Sequence, residues 1–325
     1  MSNIPSVSVV MPTYNGVAHL RRQLDSILKQ EGVAVALYVS DDNSTDGTRE
    51  VLDDYESRGL ITTTTNSGQR GLHCNMASAL NMAATDLVAI SDQDDIWLPN
   101  KLQTLVASLG DADAVFCDSA LIDEGDAPIS PSLLKELGIS RPEIGRHFLR
   151  LIRVNSVSGH GLLFRRKLLP DILPFVDACV YDQQIALVAA MRGGVNFVPE
   201  ALTLHRQHGG NHHNKLAVVS RDEQPKEDRE SMRQRQRKNE LDMIRFALAR
   251  KPDKLGLRAR WDFFLLSIIE GRLTGARRRF RDPVLLLAVW CIARDFFRLL
   301  PGTRSNFRRS VSYARRVRDG GGALQ

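Results

Sequence analysis

Four polar side chains, Asp92-Gln93-Asp94-Asp95, stand directly behind the apolar run Leu87-Val88-Ala89-Ile90. One aspartate suits a turn at a strand end. Three carboxylates within four residues repel one another unless a cation or a proton relieves them. Hard divalent cations such as Mg²⁺ and Mn²⁺ take oxygen ligands and keep positions open for phosphates. Taken alone, the tetrapeptide reads equally as a cation site or as an acidic solvated turn. A second polar loop, Asp41-Asp42-Asn43-Ser44-Thr45-Asp46-Gly47-Thr48, supplies good N-cap residues for a following helix in Ser44, Thr45 and Asp46. Capping leaves Asp41 and Asp42 unexplained, and a carboxylate there can accept a hydrogen bond from the imide N–H of uracil or thymine. A third, Pro12-Thr13-Tyr14-Asn15-Gly16, presents Tyr14 for stacking on a planar base, although Pro, Asn and Gly also make an ordinary turn. Four histidines, His205, His208, His212 and His213, could in principle hold zinc. No cysteine accompanies them, and the adjacent pair His212-His213 is poor ligand geometry.

The three loops each need a strand to aim them. Val7–Met11, ending at Pro12, reads as a buried strand, followed by a helix over Ala18–Lys29 with Leu20, Leu24, Ile27 and Leu28 on one face. Ala36–Ser40 is a second strand and Leu60–Thr64 a weaker third. Leu87–Ser91 and Ala114–Cys117 follow, separated by helical spacing over Met76–Ala84 and Lys101–Leu109. Alternating strands and helices of this length imply βαβ units, a mainly parallel sheet and an α/β fold with right-handed crossovers. Ligands of such sheets bind beyond the carboxyl ends of the strands, where all three polar loops fall. Asp118–Gly145 carries Pro128, Pro131 and Pro142 with little periodicity and reads as a long connection or flap. Order resumes in Gly161–Arg165, a helix over Asp182–Met191 and a strand over Val195–Val198.

At 325 residues and 43% hydrophobic, the chain can bury one large or two modest cores. Its net charge of +6 hides an asymmetry: Met1–Asn211 holds 17 Lys/Arg and 25 Asp/Glu, a net of −8, while His212–Gln325 holds 27 and 13, a net of +14. The basic part is expected to be helical. Arg277-Arg278-Arg279-Phe280-Arg281 and the apolar stretch within Pro283–Leu300 suit an amphipathic helix at an anionic membrane surface, or one packed on the protein. Nucleic acid is not expected, since no recognition motif accompanies the charge. The four cysteines form no CxxC pair and read as reduced thiols. With no signal peptide and no spanning segment legible, the expected location is cytoplasmic, possible contact being limited to the inner membrane face.

Three such loops in this order resemble the family 2 glycosyltransferases of the GT-A fold, over Val7–Val115 and more patchily to Asn211. The resemblance implies a GT-A catalytic domain over 1–212, a mainly parallel nucleotide-binding sheet flanked by helices, and a helical basic region over 213–325. The implied activity is inverting transfer of a sugar from a nucleoside diphosphate donor to a glycan or lipid-linked acceptor in surface polysaccharide synthesis. Ser91-Asp92-Gln93-Asp94-Asp95-Ile96-Trp97 resembles bacterial rhamnosyltransferases, which implies dTDP-rhamnose. The donor-binding set so implied is Pro12, Tyr14, Asn15, Asp42, Asn75, Asp92, Gln93 and Asp95. Asp94 is the implied ligand of Mg²⁺ or Mn²⁺, with His208 beside it in an element resembling YRxHxxN, where His205 replaces Tyr. Asp182, in Tyr181-Asp182-Gln183, is the implied general base, and the family position favours this over the other use of an aspartate there, as a helix N-cap. Gln183 stands in place of the usual aromatic. A nucleotidyltransferase is the alternative enzyme class, but Pro12–Gly16 offers neither a Gly-rich phosphate loop nor a basic residue. A non-catalytic nucleotide- or glycan-binding module is the other alternative.

Overall fold

A computed structural model describes residues 4–142, 144–152, 154–208, 229–253 and 257–273. Among the described residues nine strands form one sheet: β1 (Ser6–Thr13), β2 (Ala34–Asp41), β3 (Thr62–Thr65), β4 (Leu87–Ile90), β5 (Ile96–Trp97), β6 (Ala114–Ile122), β7 (Pro128–Ser130), β8 (Leu162–Arg165) and β9 (Val195–Arg206). The order is β3-β2-β1-β4-β8-β6-β9-β5, with β7 paired to β6. The ladders β3-β2-β1-β4 and β6-β9 are parallel, whereas β8 joins both β4 and β6 antiparallel. The helices are α1 (Val17–Leu28), α2 (Thr48–Ser57), α3 (Leu72–Asn81), α4 (Lys101–Leu109), α5 (Leu133–Glu136), α6 (Leu169–Ile172), α7 (Tyr181–Met191), α8 (Arg229–Ala249) and α9 (Leu257–Leu273).

The expected alternation of strand and helix holds, for a physical reason visible in α1. Leu20, Leu24 and Ile27 are fully buried, and they pack in one core with Val7, Val9, Met11 and Val39 from the sheet. Each such side chain contributes about 1.5–3 kcal/mol by leaving water. β1 does not stop at Pro12 as expected but runs to Thr13. Its ladder with β4 ends at Val10–Ile90, and the Val10 carbonyl accepts from Ser91 on that same side, so by strand alternation Pro12 points its N–H-less nitrogen where no partner strand remains.

Two further expectations are corrected. Asp118–Gly145 is no featureless flap: β6 continues through Ile122, turns into β7, and α5 follows. The buried Asp118 carboxylate makes that path stable by accepting from Ser132 Oγ at 2.5 Å and from the Leu134 N–H at 3.2 Å. The last strand does not end at Val198, because the β6–β9 register jumps from Cys117–Val198 to Asp118–Ala201. That bulge absorbs Pro199 and Glu200, and β9 continues to Arg206.

Packing groups the described residues up to Phe263 as one compact unit and those from Phe264 onward as another. Within the first, α8 buries Met243, Ile244, Phe246 and Ala247. The segments Arg277–Arg281 and Pro283–Leu300, and His212 and His213, lie outside the described residues. Among the described residues, no helix is long and apolar enough to cross a membrane.

Candidate active site

The loops that follow β1, β2 and β4 are tied to one another. The Tyr14 N–H donates to Gln93 Oε1 at 2.9 Å, and Gln93 Nε2 donates back to the Tyr14 carbonyl at 3.1 Å. Gly16 permits this clip, since a Cβ there would stand 2.3 Å from Gln93 Oε1. Asn15, at φ 47, joins the first loop to the second: its N–H donates to Ser44 Oγ, and its Oδ1 accepts from the Thr45 N–H, each at 2.9 Å. Pro12 is buried in β1, whereas Tyr14 is 51% exposed.

The two aspartates left over by capping divide their work. Asp41 is a loop lock, accepting from Thr13 Oγ1 at 3.0 Å and from Ser44 Oγ at 2.6 Å. Asp42 accepts from Asn66 Nδ2 at 2.7 Å and from the Gly71 N–H at 2.9 Å, so each oxygen keeps one lone pair. Asn75 donates to the Thr13 carbonyl at 3.0 Å, leaving its Oδ1 buried without a hydrogen-bond partner.

The acidic loop also divides. Asp94 Oδ2 accepts from His208 Nε2 at 2.9 Å, and both side chains are about one-fifth exposed. Burial raises the Asp94 pKa; Asp95 and Asp92 add to this and His208 opposes it. His208 is raised in turn, chiefly by its hydrogen bond to Asp94. One carboxylate and one imidazole, exposed on one side and short of protein ligands, are a donor set that fits a divalent cation completed by phosphate oxygens. Asp95 differs: it is wholly buried, and its Oδ1 accepts from His205 Nδ1–H at 2.9 Å and from the Arg206 N–H at 3.1 Å. Burial alone would raise Asp95, but the charges of His205 and His160 pull it well below the usual range. Burial likewise lowers His205, and Asp95 more than reverses this, to about 9. Asp95 Oδ1 is thus engaged by the protein.

Asp182 does not stand at the N-cap of α7, although its Oδ1 accepts from the Gln183 N–H at 2.7 Å. The N-cap of α7 is Val180, with no side-chain cap. The carboxylate accepts from Asn155 Nδ2 at 2.8 Å and from the Gly159 N–H at 3.0 Å. Burial raises its pKa to about 7, assisted by Asp92 and opposed by hydrogen bonds from the Gln183 and Gly159 N–H groups and from Asn155. The residue before it, Tyr181, donates its buried hydroxyl to Asp92 Oδ1 at 3.1 Å. Gln183 turns away and donates to the Leu151 carbonyl at 2.6 Å.

By sequence Ser158-Gly159-His160-Gly161 resembles a small-residue acceptor loop before a strand, but the individual roles of His160, Ser119 and Lys101 escape sequence reasoning. His160 approaches Asp92 Oδ2 at 3.5 Å and pairs with Ser119 Oγ at 2.7 Å. The buried Lys101 donates to the His160 carbonyl at 2.5 Å and to Thr203 Oγ1 at 2.8 Å, with its ammonium 3.5 Å from the centre of the Trp97 ring. Burial lowers its pKa to about 7, against the attraction of Cys117, Asp95 and Asp92. His160 and Ser119 are 41 residues apart and Lys101 and His160 59 apart, beyond any local pattern.

Residues 8–173 match the model of glycosyl transferase family 2. The chain belongs to that family. It is 26% identical over 235 residues to an uncharacterised glycosyltransferase of Nostoc, covering 68% of this chain and 70% of the relative. An Escherichia coli UDP-Glc:alpha-D-GlcNAc-diphosphoundecaprenol beta-1,3-glucosyltransferase is 36% identical over 104 residues, 32% of this chain and 40% of the relative. A dTDP-rhamnosyl transferase of Shigella flexneri is 29% identical over 105 residues, 30% of this chain and 36% of the relative. With the latter two, this glycosyltransferase therefore shares well under half of the relative's length. Its fold is that of S. aureus TarS, solved with UDP-GlcNAc, at a TM-score of 0.55 and 18% identity over 91% of this chain and 82% of that one.

Proposed function

We propose that this family 2 glycosyltransferase is an inverting enzyme that moves a sugar from a nucleoside diphosphate to an acceptor hydroxyl. The observation that carries the reading is Asp182, a half-buried carboxylate with its pKa raised to about 7, joined through Tyr181 to the acidic loop that would face the diphosphate. A group titrating near neutrality is matched to general-base work. In the reaction, the acceptor oxygen forms its bond to the anomeric carbon as the bond from that carbon to the phosphate oxygen breaks. The acceptor proton goes to a carboxylate oxygen of Asp182, and the bonding pair leaves with the nucleoside diphosphate. One displacement inverts the anomeric centre.

Tyr14 would stack on the base, and Asp42, fixed by Asn66 and Gly71, would accept from its imide N–H. Asp92 and Gln93 would lie near the ribose. Asp94 and His208 would hold Mg²⁺ or Mn²⁺, which supplies charge neutralisation for the departing diphosphate. Sequence likeness to a dTDP-rhamnosyl transferase and to a glucosyltransferase named for a diphosphoundecaprenol substrate supports a dTDP- or UDP-sugar donor and a lipid-linked glycan acceptor. We assign catalysis to residues 1–212. The basic region 213–325 would dock at an anionic membrane, read out by sedimentation with anionic but not neutral vesicles. Incubation with a panel of nucleoside diphosphate sugars tests the activity. Release of nucleoside diphosphate with Mn²⁺ supports the transferase, and release of nucleoside monophosphate or no turnover of any donor contradicts it.

A further inference from the structure

We propose that Asp92, Asp95, His160 and His205 form a second cation site, for a transition-metal ion of the zinc class, separate from the Asp94–His208 pair. One ligand atom from each of the four lies within 4.8 Å of all the others. Three of the spacings are 2.9 Å for Asp95 Oδ1 with His205 Nδ1, 3.5 Å for Asp92 Oδ2 with His160 Nδ1, and 3.9 Å for Asp95 Oδ2 with His160 Nδ1. Bonds of about 2.0–2.1 Å to tetrahedral zinc put ligand atoms about 3.4 Å apart. These three spacings straddle that value.

A second observation points to an ion. Asp95 is fully buried, yet its Oδ2 has no hydrogen-bond partner and faces His160 Nδ1 from beyond bonding distance. A carboxylate oxygen out of water with no donor is costly, and a bound cation removes the cost. The His160 and His205 rings stack beside it, with centroids 4.2 Å apart and planes 15° from parallel. Two imidazoles and two carboxylates are a donor set of the zinc class.

The prospective ligands are also held from behind, as metal ligands generally are. Ser119 Oγ bonds His160 Nε2, Tyr181 donates to Asp92 Oδ1, and the Arg206 N–H donates to Asp95 Oδ1. Mixed nitrogen and oxygen donors favour zinc-class ions over the hard Mg²⁺, whereas the more open Asp94–His208 pair leaves room for phosphate oxygens. The ion would staple the acidic loop, the turn before β8 and the end of β9 into one unit.

The test is metal binding by the full-length protein, stripped with chelator and dialysed against Zn²⁺ in excess Mg²⁺ without nucleotide. We expect one retained equivalent, visible d–d bands of four-coordinate geometry when Co²⁺ replaces zinc, and a higher melting temperature. Asp94→Asn should keep the equivalent, while His160→Gln and His205→Gln should weaken binding at least tenfold. Circular dichroism and the Co²⁺ spectrum of the unmutated protein guard against misfolded variants. No retained equivalent in the wild-type protein, or loss in Asp94→Asn with retention in both histidine variants, overturns the proposal. Either failure leaves Mn²⁺-dependent nucleotide binding, and so the transferase reading, untouched.

Discussion

The Tyr181 hydroxyl donates to Asp92 Oδ1 at 3.1 Å, so the residue beside the proposed base holds a residue of the acidic loop. α7 and the loop after β4 are thereby fixed relative to each other, and the base comes into register with the donor. Tyr181→Phe keeps the ring and removes the bond. We expect a stability loss of about 1 kcal/mol and a fall in kcat with little change in donor affinity. Steady-state kinetics beside a melting curve checks this; lost stability with unchanged kcat would reduce Tyr181 to packing.

Asp182 has the sharpest pH signature. Its carboxyl, raised to about 7, must be ionised to take the acceptor proton, so kcat/KM should rise with pH through about 7 and fall with unit slope below it. Asp182→Asn should lower kcat by about 10³-fold and flatten that limb. Donor affinity, measured by calorimetry, should stay within a factor of about two. A profile unchanged by the substitution would place the titrating group elsewhere.

Gly16 separates fold from donor binding. Its φ of −112 is open to alanine, but the new Cβ would displace the Gln93 amide from the Tyr14 peptide. Because the Gln93 end is flexible, Gly16→Ala should leave the melting temperature nearly unchanged. The same change should weaken nucleotide binding several-fold, as Tyr14 and the acidic loop lose register. Equal affinity in wild type and variant would show that the clip does not organise the site.

What could be read from the sequence tracks how local the physics is. β1, β2 and β4 are short apolar runs ending in polar loops, so both strands and loops stood out. Asp94 and His208, read from separate motifs, lie 2.9 Å apart, and Asp182 proved not to stand at the N-cap of α7. β6 beyond Cys117 was hidden because Asp118 looks like a turn residue until Ser132 and Leu134 are seen to satisfy it. β9 was hidden because Pro199 ends a regular strand and only a bulge carries it through. His160, Ser119, Asn155 and Lys101 act through partners far along the chain, where neither periodicity nor spacing reaches.

The central claim is that the strand-end loops bind a nucleoside diphosphate through a divalent cation held at Asp94. Its most direct test is calorimetric titration of UDP and dTDP into the protein, with and without Mn²⁺, for wild type and Asp94→Asn. The account predicts saturable binding of at least one nucleotide in Mn²⁺, weaker by tenfold or more without the ion, and equally weak in Asp94→Asn under both conditions. Nucleotide affinity indifferent to both Mn²⁺ and Asp94, or no binding of either nucleotide, would contradict it.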